Sequence, residues 1–166
     1  MHHLVDRPRH VDVVGDIGPA HDVIELADSP SAIGLGRVGD LPAPMSLAQL
    51  VDLAASVLPE TAQGIRALGD SERMISRLAV CGGAGDDALR AAAATGAQAF
   101  LTADLRHHPA SEAPEGLALV DAAHWATEWP WLATAAEALT RVVDVEAVVS
   151  TTRTDPWTIA SRSPST

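Results

Sequence analysis

The chain of 166 residues carries a formal charge of −11 at pH 7 with its histidines neutral, and all of its basic residues are arginine. A surface this acidic repels phosphate backbones and argues against nucleic-acid binding. No apolar run reaches the ~18 residues needed to cross a bilayer, and the polar start MHHLVDRPRH has no signal-peptide core, so a cytoplasmic protein with no membrane contact is expected. The length suits a single α/β domain with a real core. Tyrosine is absent and phenylalanine occurs once, so that core must be made of Ala, Val, Leu and Ile. The one cysteine, Cys81, excludes an internal disulfide and a thiolate zinc cage; ending an apolar run, it reads as a buried, inert thiol.

Residues 1–32 mix short apolar pairs with Pro, Gly, Asp and His and read as a poorly defined N-terminal segment, with short strands expected at Val11–Val14 and Val23–Leu26. Organisation begins at Ile33. IGLGRVGDL reads as a strand closed by Asp40 and Pro42. Ser46 followed by Gln49 is a capping box, opening an amphipathic helix from Leu47 to Leu58 that Pro59 ends. Strands are expected at Gln63–Leu68 and Arg77–Cys81, around a Gly69–Asp70 turn. CGGAGDDALRAAAATG then reads as a glycine-rich turn running into an Ala-rich helix that Gly96 stops.

The strand Ala97–Asp104 is followed by LRHHPASEAPEG, where Pro109 and Pro114 allow at most a broken helix. Leu117–Ala123 is a strand. A helix runs from His124 to about Arg141, with Pro130 at a start or a kink, and Val145–Ser150 is expected as a last strand. TTRTDPWT is a terminal loop, and residues 159–166 a flexible tail. Alternating strands and helices from Arg77 to Ser150 predict an α/β fold, a mixed or parallel sheet with helices on both faces, over residues 33–158. In such a sheet the site lies at the carboxyl ends of the strands.

Three groups of residues could carry chemistry. His124 and Glu128, four apart on one helix, leave the same face; an imidazole and a carboxylate suit a divalent ion such as Zn, Fe or Mn. The same spacing also serves an ordinary surface i,i+4 pair. Asp104, His107, His108 and Asp121 gather at neighbouring strand ends and could add ligands, or line a polar loop. The turn at Gly82, Gly83 and Gly85 is a weaker candidate for a phosphate cradle, since Asp86 and Asp87 stand where an anion would bind; it reads as a tight structural turn. The polar cluster Ser150–Asp155 could bind a ligand or cap the sheet, and Trp125, Trp129 and Trp131 suggest packing or an interface.

CGGAGDD, LTADLRHH, DAAHWATE and STTRTDPW, in this order, resemble the C-terminal half of the dinuclear-metal-centre hexameric proteins, the GTP cyclohydrolase I type 2 homologues often called NIF-three-like. The segment GLGRVGDLPAPMSLAQLVDLAASVLP resembles the opening of that half, so the likeness covers about Ile33 to Trp157. Ala103 and Ala123 stand where that family commonly has glycine. The resemblance implies a fold of two related halves, two metal ions between them, and a ring of six subunits. It implies that His124 and Glu128 are metal ligands, and it sets His107 and His108 in the same cleft, where they could move protons.

The remaining ligands of that family, a His-His pair and an Asp, belong to an N-terminal half that residues 1–32 are too short to supply. The expectation is therefore a divalent-metal-binding protein, possibly a metal-dependent hydrolase, holding half of a dinuclear site. A truncated gene ranks first as the reason, before a split protein or two copies facing each other. The alternative is a non-catalytic metal-binding, assembly or regulatory protein.

Overall fold

The computed structural model of the chain describes residues 22–24 and 36–161. The strand expected at Val11–Val14 lies outside them. β1 (Asp22–Ile24) pairs antiparallel with β2 (Gly36–Ser46), so part of the N-terminal segment joins the sheet.

β2 runs further than Asp40, where the sequence pattern closes it. Its pairing with β4 (Met74–Ala84) breaks between Asp40 and Met45 and then resumes to Ser46. Pro42 and Pro44 fall in that irregularity, where no ladder N–H is required of them. Ser46 then caps α1 (Leu47–Val57) as expected. The Gln49 N–H donates to Ser46 Oγ at 3.2 Å, and Gln49 Oε1 accepts from the Ser46 N–H at 2.8 Å. Leu47, Leu50 and Ala54 bury one face of α1; a leucine fully removed from water contributes about 1.5–3 kcal/mol.

The centre of the sheet is parallel. β4, β5 (Ala99–Ala103) and β6 (Ala118–Ala122) lie side by side, and β3 (Arg66–Leu68) pairs antiparallel on the far edge of β6. Among the described residues the six strands take the order β1-β2-β4-β5-β6-β3. Every residue of β5 and β6 is buried, which is why both read as short apolar runs rather than alternating patterns.

Their side chains still alternate between two cores. Ala99, Leu101, Ala118, Val120 and Ala122 pack with α1 and with Ala126 of α4 (His124–Glu128). Phe100 and Leu119 pack with α2 (Leu89–Ala94) and against Ala110 of α3 (His107–Ser111). Helices thus cover both faces of a mixed sheet, the fold class expected.

Two expectations fail at the C-terminal end. The single helix His124–Arg141 is two: α4 stops at Glu128, and α5 (Trp131–Val142) begins after Pro130, which tolerates a helix start but not an interior. Val145–Ser150 is not a strand; it runs unpaired, with Val145 and Val148 exposed. Among the described residues, no helix is long and apolar enough to cross a membrane.

Candidate metal centre

The carboxyl ends of β4, β5 and β6 meet at the first turn of α4, where His124 projects. Asp104 follows β5 directly, in the left-handed backbone region with φ of 54°. An aspartate tolerates that conformation better than most side chains. Its Oδ2 lies 2.7 Å from His124 Nδ1. An ionised carboxylate only accepts, so Nδ1 donates to Asp104; Nε2 faces Glu128 in the same way, so the protonated ring donates to both, and in the neutral ring the shorter Asp104 contact keeps the proton on Nδ1 and the lone pair on Nε2. Nε2 in turn lies 3.2 Å from Glu128 Oε2. The predicted i,i+4 pair is therefore present, with the imidazole held between two carboxylates.

The glycine turn supplies the space for this pair. Gly83 adopts φ of +70°, and a Cβ placed on it would come within 2.6 Å of Glu128 Oε1 and 3.2 Å of His124 Nε2. The Gly83 N–H donates to Thr127 Oγ1 at 2.9 Å, and that hydroxyl donates to the His124 carbonyl at 2.8 Å. On the other side the buried Thr102 hydroxyl donates to the Gly83 carbonyl at 3.0 Å. Turn, strand end and helix are thus tied together through two threonines and one glycine. The structural reading of this turn holds, and its role goes further: it seats Glu128. Asp86, beside it, is bound to the Arg106 side chain and accepts from the Arg106 N–H at 3.2 Å, so it is turned away from any anion.

The electrostatics favour a cation. Partial burial pulls His124 down, but the Asp104 hydrogen bond and the Glu128 charge outweigh it and leave the imidazole above its ordinary value of 6.5. Burial, and then the Glu128 charge, push the Cys81 thiol up, in keeping with an inert cysteine.

The C-terminal segment forms a wall. His124, Asp104 and Glu128 line a cleft of about 340 Å³ with Trp125, Thr154, Asp155, Pro156 and Trp157. The Trp129 indole N–H donates to the Ser150 carbonyl at 3.1 Å, and the Arg153 guanidinium sits 5.6 Å from the Trp125 ring centre. The polar cluster Ser150–Asp155 therefore lies over α4 and does not cap the sheet.

The other candidates lie apart. His107 and His108 open α3 and contact each other, ring centres 5.4 Å apart, with no hydrogen bond to His124, Asp104 or Glu128. Asp121 turns to the other face of the sheet and pairs with Arg66. Among the described residues, no three His, Cys, Asp or Glu side chains are grouped to hold a metal ion. Thr127 and Arg66 carry no mark in sequence that assigns them these roles. Thr102 does stand out, as a lone hydroxyl in an apolar run.

Comparison with known proteins places the chain in a family. A family profile described as Duf34/NIF3 (NGG1p interacting factor 3) matches residues 9–156. A Mycobacterium leprae protein named "GTP cyclohydrolase 1 type 2 homolog" is 47% identical over 148 residues, covering 87% of this chain and 38% of the relative. A Streptomyces coelicolor protein of the same name is 49% identical over 143 residues, covering 82% of this chain and 50% of the relative. A crystal structure of a Bacillus cereus protein related to NIF3 superposes with a TM-score of 0.69 at 28% identity, covering 76% of this chain and 36% of that one. The chain thus spans half or less of the length of these relatives.

Proposed function

The chain belongs to the Duf34/NIF3 family, and from that premise we propose that it binds a divalent metal ion through His124 Nε2 and Glu128. The observation that carries this reading is the orienting pair: Asp104 fixes the imidazole proton on Nδ1, and Gly83 leaves room where Nε2 and the Glu128 carboxylate converge. Zinc, iron or manganese suits one nitrogen and one carboxylate donor. Two donors are fewer than a tight site needs. The rest would come from the part of the relatives that this chain does not span, or from a second copy of the chain. A homo-oligomer, a ring of six in the family it resembles, would bring such groups together.

We propose metal-dependent hydrolysis of a small substrate as the activity. A bound divalent ion supplies Lewis acidity and an acidified water. This chain's residues then hold the donors in place: Asp104 orients His124, Gly83 leaves room for Glu128, and Trp125 and Trp157 line the cleft beside them. His107 and His108 would act only through a substrate long enough to reach α3. GTP enters only through the name of the relatives, "GTP cyclohydrolase 1 type 2 homolog". We place this activity in the cytoplasm, consistent with a single reduced, buried thiol. The second reading, a metal-holding assembly or regulatory subunit without turnover, draws on α5, which buries none of its residues and exposes Leu132, Leu139 and Val142.

The test is metal content of the purified chain by mass spectrometry, beside His124→Ala. Near-stoichiometric metal in the parent, lost in the variant, is expected. Metal below about 0.2 equivalents in both removes the site. GTP hydrolysis that disappears in Glu128→Ala supports the enzyme, and bound metal without turnover of GTP supports the second reading.

A further inference from the structure

The chain has four tryptophans, one phenylalanine and no tyrosine. Phe100 is wholly buried in the core, but none of the tryptophans is buried. All four line two clefts that meet at Glu128. Trp157 lines the His124 cleft, Trp129 and Trp131 line a second cleft of about 420 Å³, and Trp125 lines both. A protein that fills its interior with aliphatic side chains and one phenylalanine thus keeps its largest flat rings partly exposed around one carboxylate. Such rings offer contact area at little cost in side-chain entropy, which suits a binding surface.

The second cleft lies beside α4 and the start of α5. At Gly82 its wall is bare backbone; a Cβ there would come within 2.9 Å of the Thr127 carbonyl. The Trp125 and Trp129 rings stand 5.9 Å apart with their planes inclined by 40°. The Trp129 indole N–H is taken by the Ser150 carbonyl, and the Thr127 hydroxyl by the Gly83 N–H and the His124 carbonyl. These side chains therefore offer the cleft surface more than hydrogen bonds. Leu132, 41% exposed, adds apolar area. Glu128 is the one charged residue of the lining, so the cleft holds no cation to pair with a phosphate or a carboxylate. The volume is that of a small-ligand site.

We propose that this cleft takes an uncharged, flat aromatic ring of the substrate, carried next to a metal-binding group that reaches Glu128. The ring lies against the tryptophans and Leu132, where a flat ring gains contact that a saturated ring of the same skeleton does not. The place of the second group rests on the metal reading above; the ring cleft stands without it.

The test is titration of the full chain, freed of metal with EDTA, with 2-naphthamide and with its decahydro analogue, followed by ¹⁵N–¹H spectra of amides and indoles. Saturable shifts at Gly82, Leu132 and the Trp129 and Trp131 indoles are expected with 2-naphthamide, and binding about fivefold weaker or more for the saturated analogue. Leu132→Glu changes an exposed side chain and should weaken 2-naphthamide by a similar factor. Should that variant not fold, the two naphthyl compounds on the unaltered chain decide. On the zinc-loaded chain, 2-naphthohydroxamic acid should bind about tenfold more tightly than acetohydroxamic acid, or better. A chain that holds no zinc removes the metal reading alone, and the naphthamide titration still decides the cleft. No shifts from 2-naphthamide, equal affinity for the saturated ring, or unchanged binding in a folded Leu132→Glu would overturn the ring cleft. Equal affinities of the two hydroxamates would overturn its link to Glu128. Tryptophan signals that move with chain concentration but not with 2-naphthamide would mean that a second copy covers the cleft, which also overturns the proposal.

Discussion

His107 and His124 follow neighbouring strands of one sheet, yet they are placed very differently. His124 follows β6 and is fixed on both nitrogens, by Asp104 and Glu128, with a glycine turn behind it. His107 follows β5 and sets its ring edge-on against that of His108. Both are exposed and both belong to short helices. What separates them is the support around each ring: a carboxylate that selects the tautomer, and a backbone that leaves space for the partner. A histidine becomes a strong metal donor through that support rather than through its own exposure.

Breaking the support should hurt most where the backbone is involved. Gly83→Val places branched carbons against Glu128 Oε1 at a left-handed φ, so a loss of about 2–4 kcal/mol in urea unfolding is expected. A loss below about 0.5 kcal/mol would mean the turn does not constrain Glu128. Next comes Asp104→Asn. Asparagine keeps the left-handed backbone but not the charge, so the fold should survive while metal affinity falls ~10–100-fold by calorimetry.

A smaller effect concerns pH. Because the folded state raises His124, the protonated ring stabilises the fold fully below its ordinary value, and that contribution fades as pH climbs through the raised value. Metal binding runs the other way, strengthening as the proton leaves Nε2, with a midpoint above 6.5. A midpoint at or below 6.5 would show that Asp104 and Glu128 do not hold the ring as described. Smallest is His107→Ala or His108→Ala, expected within about 0.5 kcal/mol of the parent in stability and unchanged in metal affinity. A tenfold loss of metal in either would erase the contrast between the two histidines.

Much of this fold was legible because burial writes itself into composition. β5 and β6 are covered on both faces and appear as bounded apolar runs. α1 announces itself by Ser46 and Gln49. The misreadings share a cause, since pairing partners are not written locally. Pro42 and Pro44 argue against a strand, yet β2 passes them at an irregularity in its pairing with β4. Val145–Ser150 has strand composition, yet its end is held by the Trp129 indole rather than by a strand. At the site, spacing alone brought His124 and Glu128 together. Asp104 stood out as a polar strand end, but its link to His124 depends on how β5 and β6 align in the sheet. That Gly83 makes room for a glutamate far along the chain depends on the fold as a whole.

The claim beneath all of this is that Asp104 holds the neutral His124 as the Nδ1–H tautomer, with the Nε2 lone pair beside Glu128 turned toward a metal. A long-range ¹⁵N–¹H spectrum of the His124 ring, above its titration point and with zinc added in steps, reads this directly. The account predicts a protonated Nδ1 throughout and a zinc-dependent shift at Nε2. An Nε2–H tautomer, or a ring spectrum that zinc leaves unchanged, would contradict it.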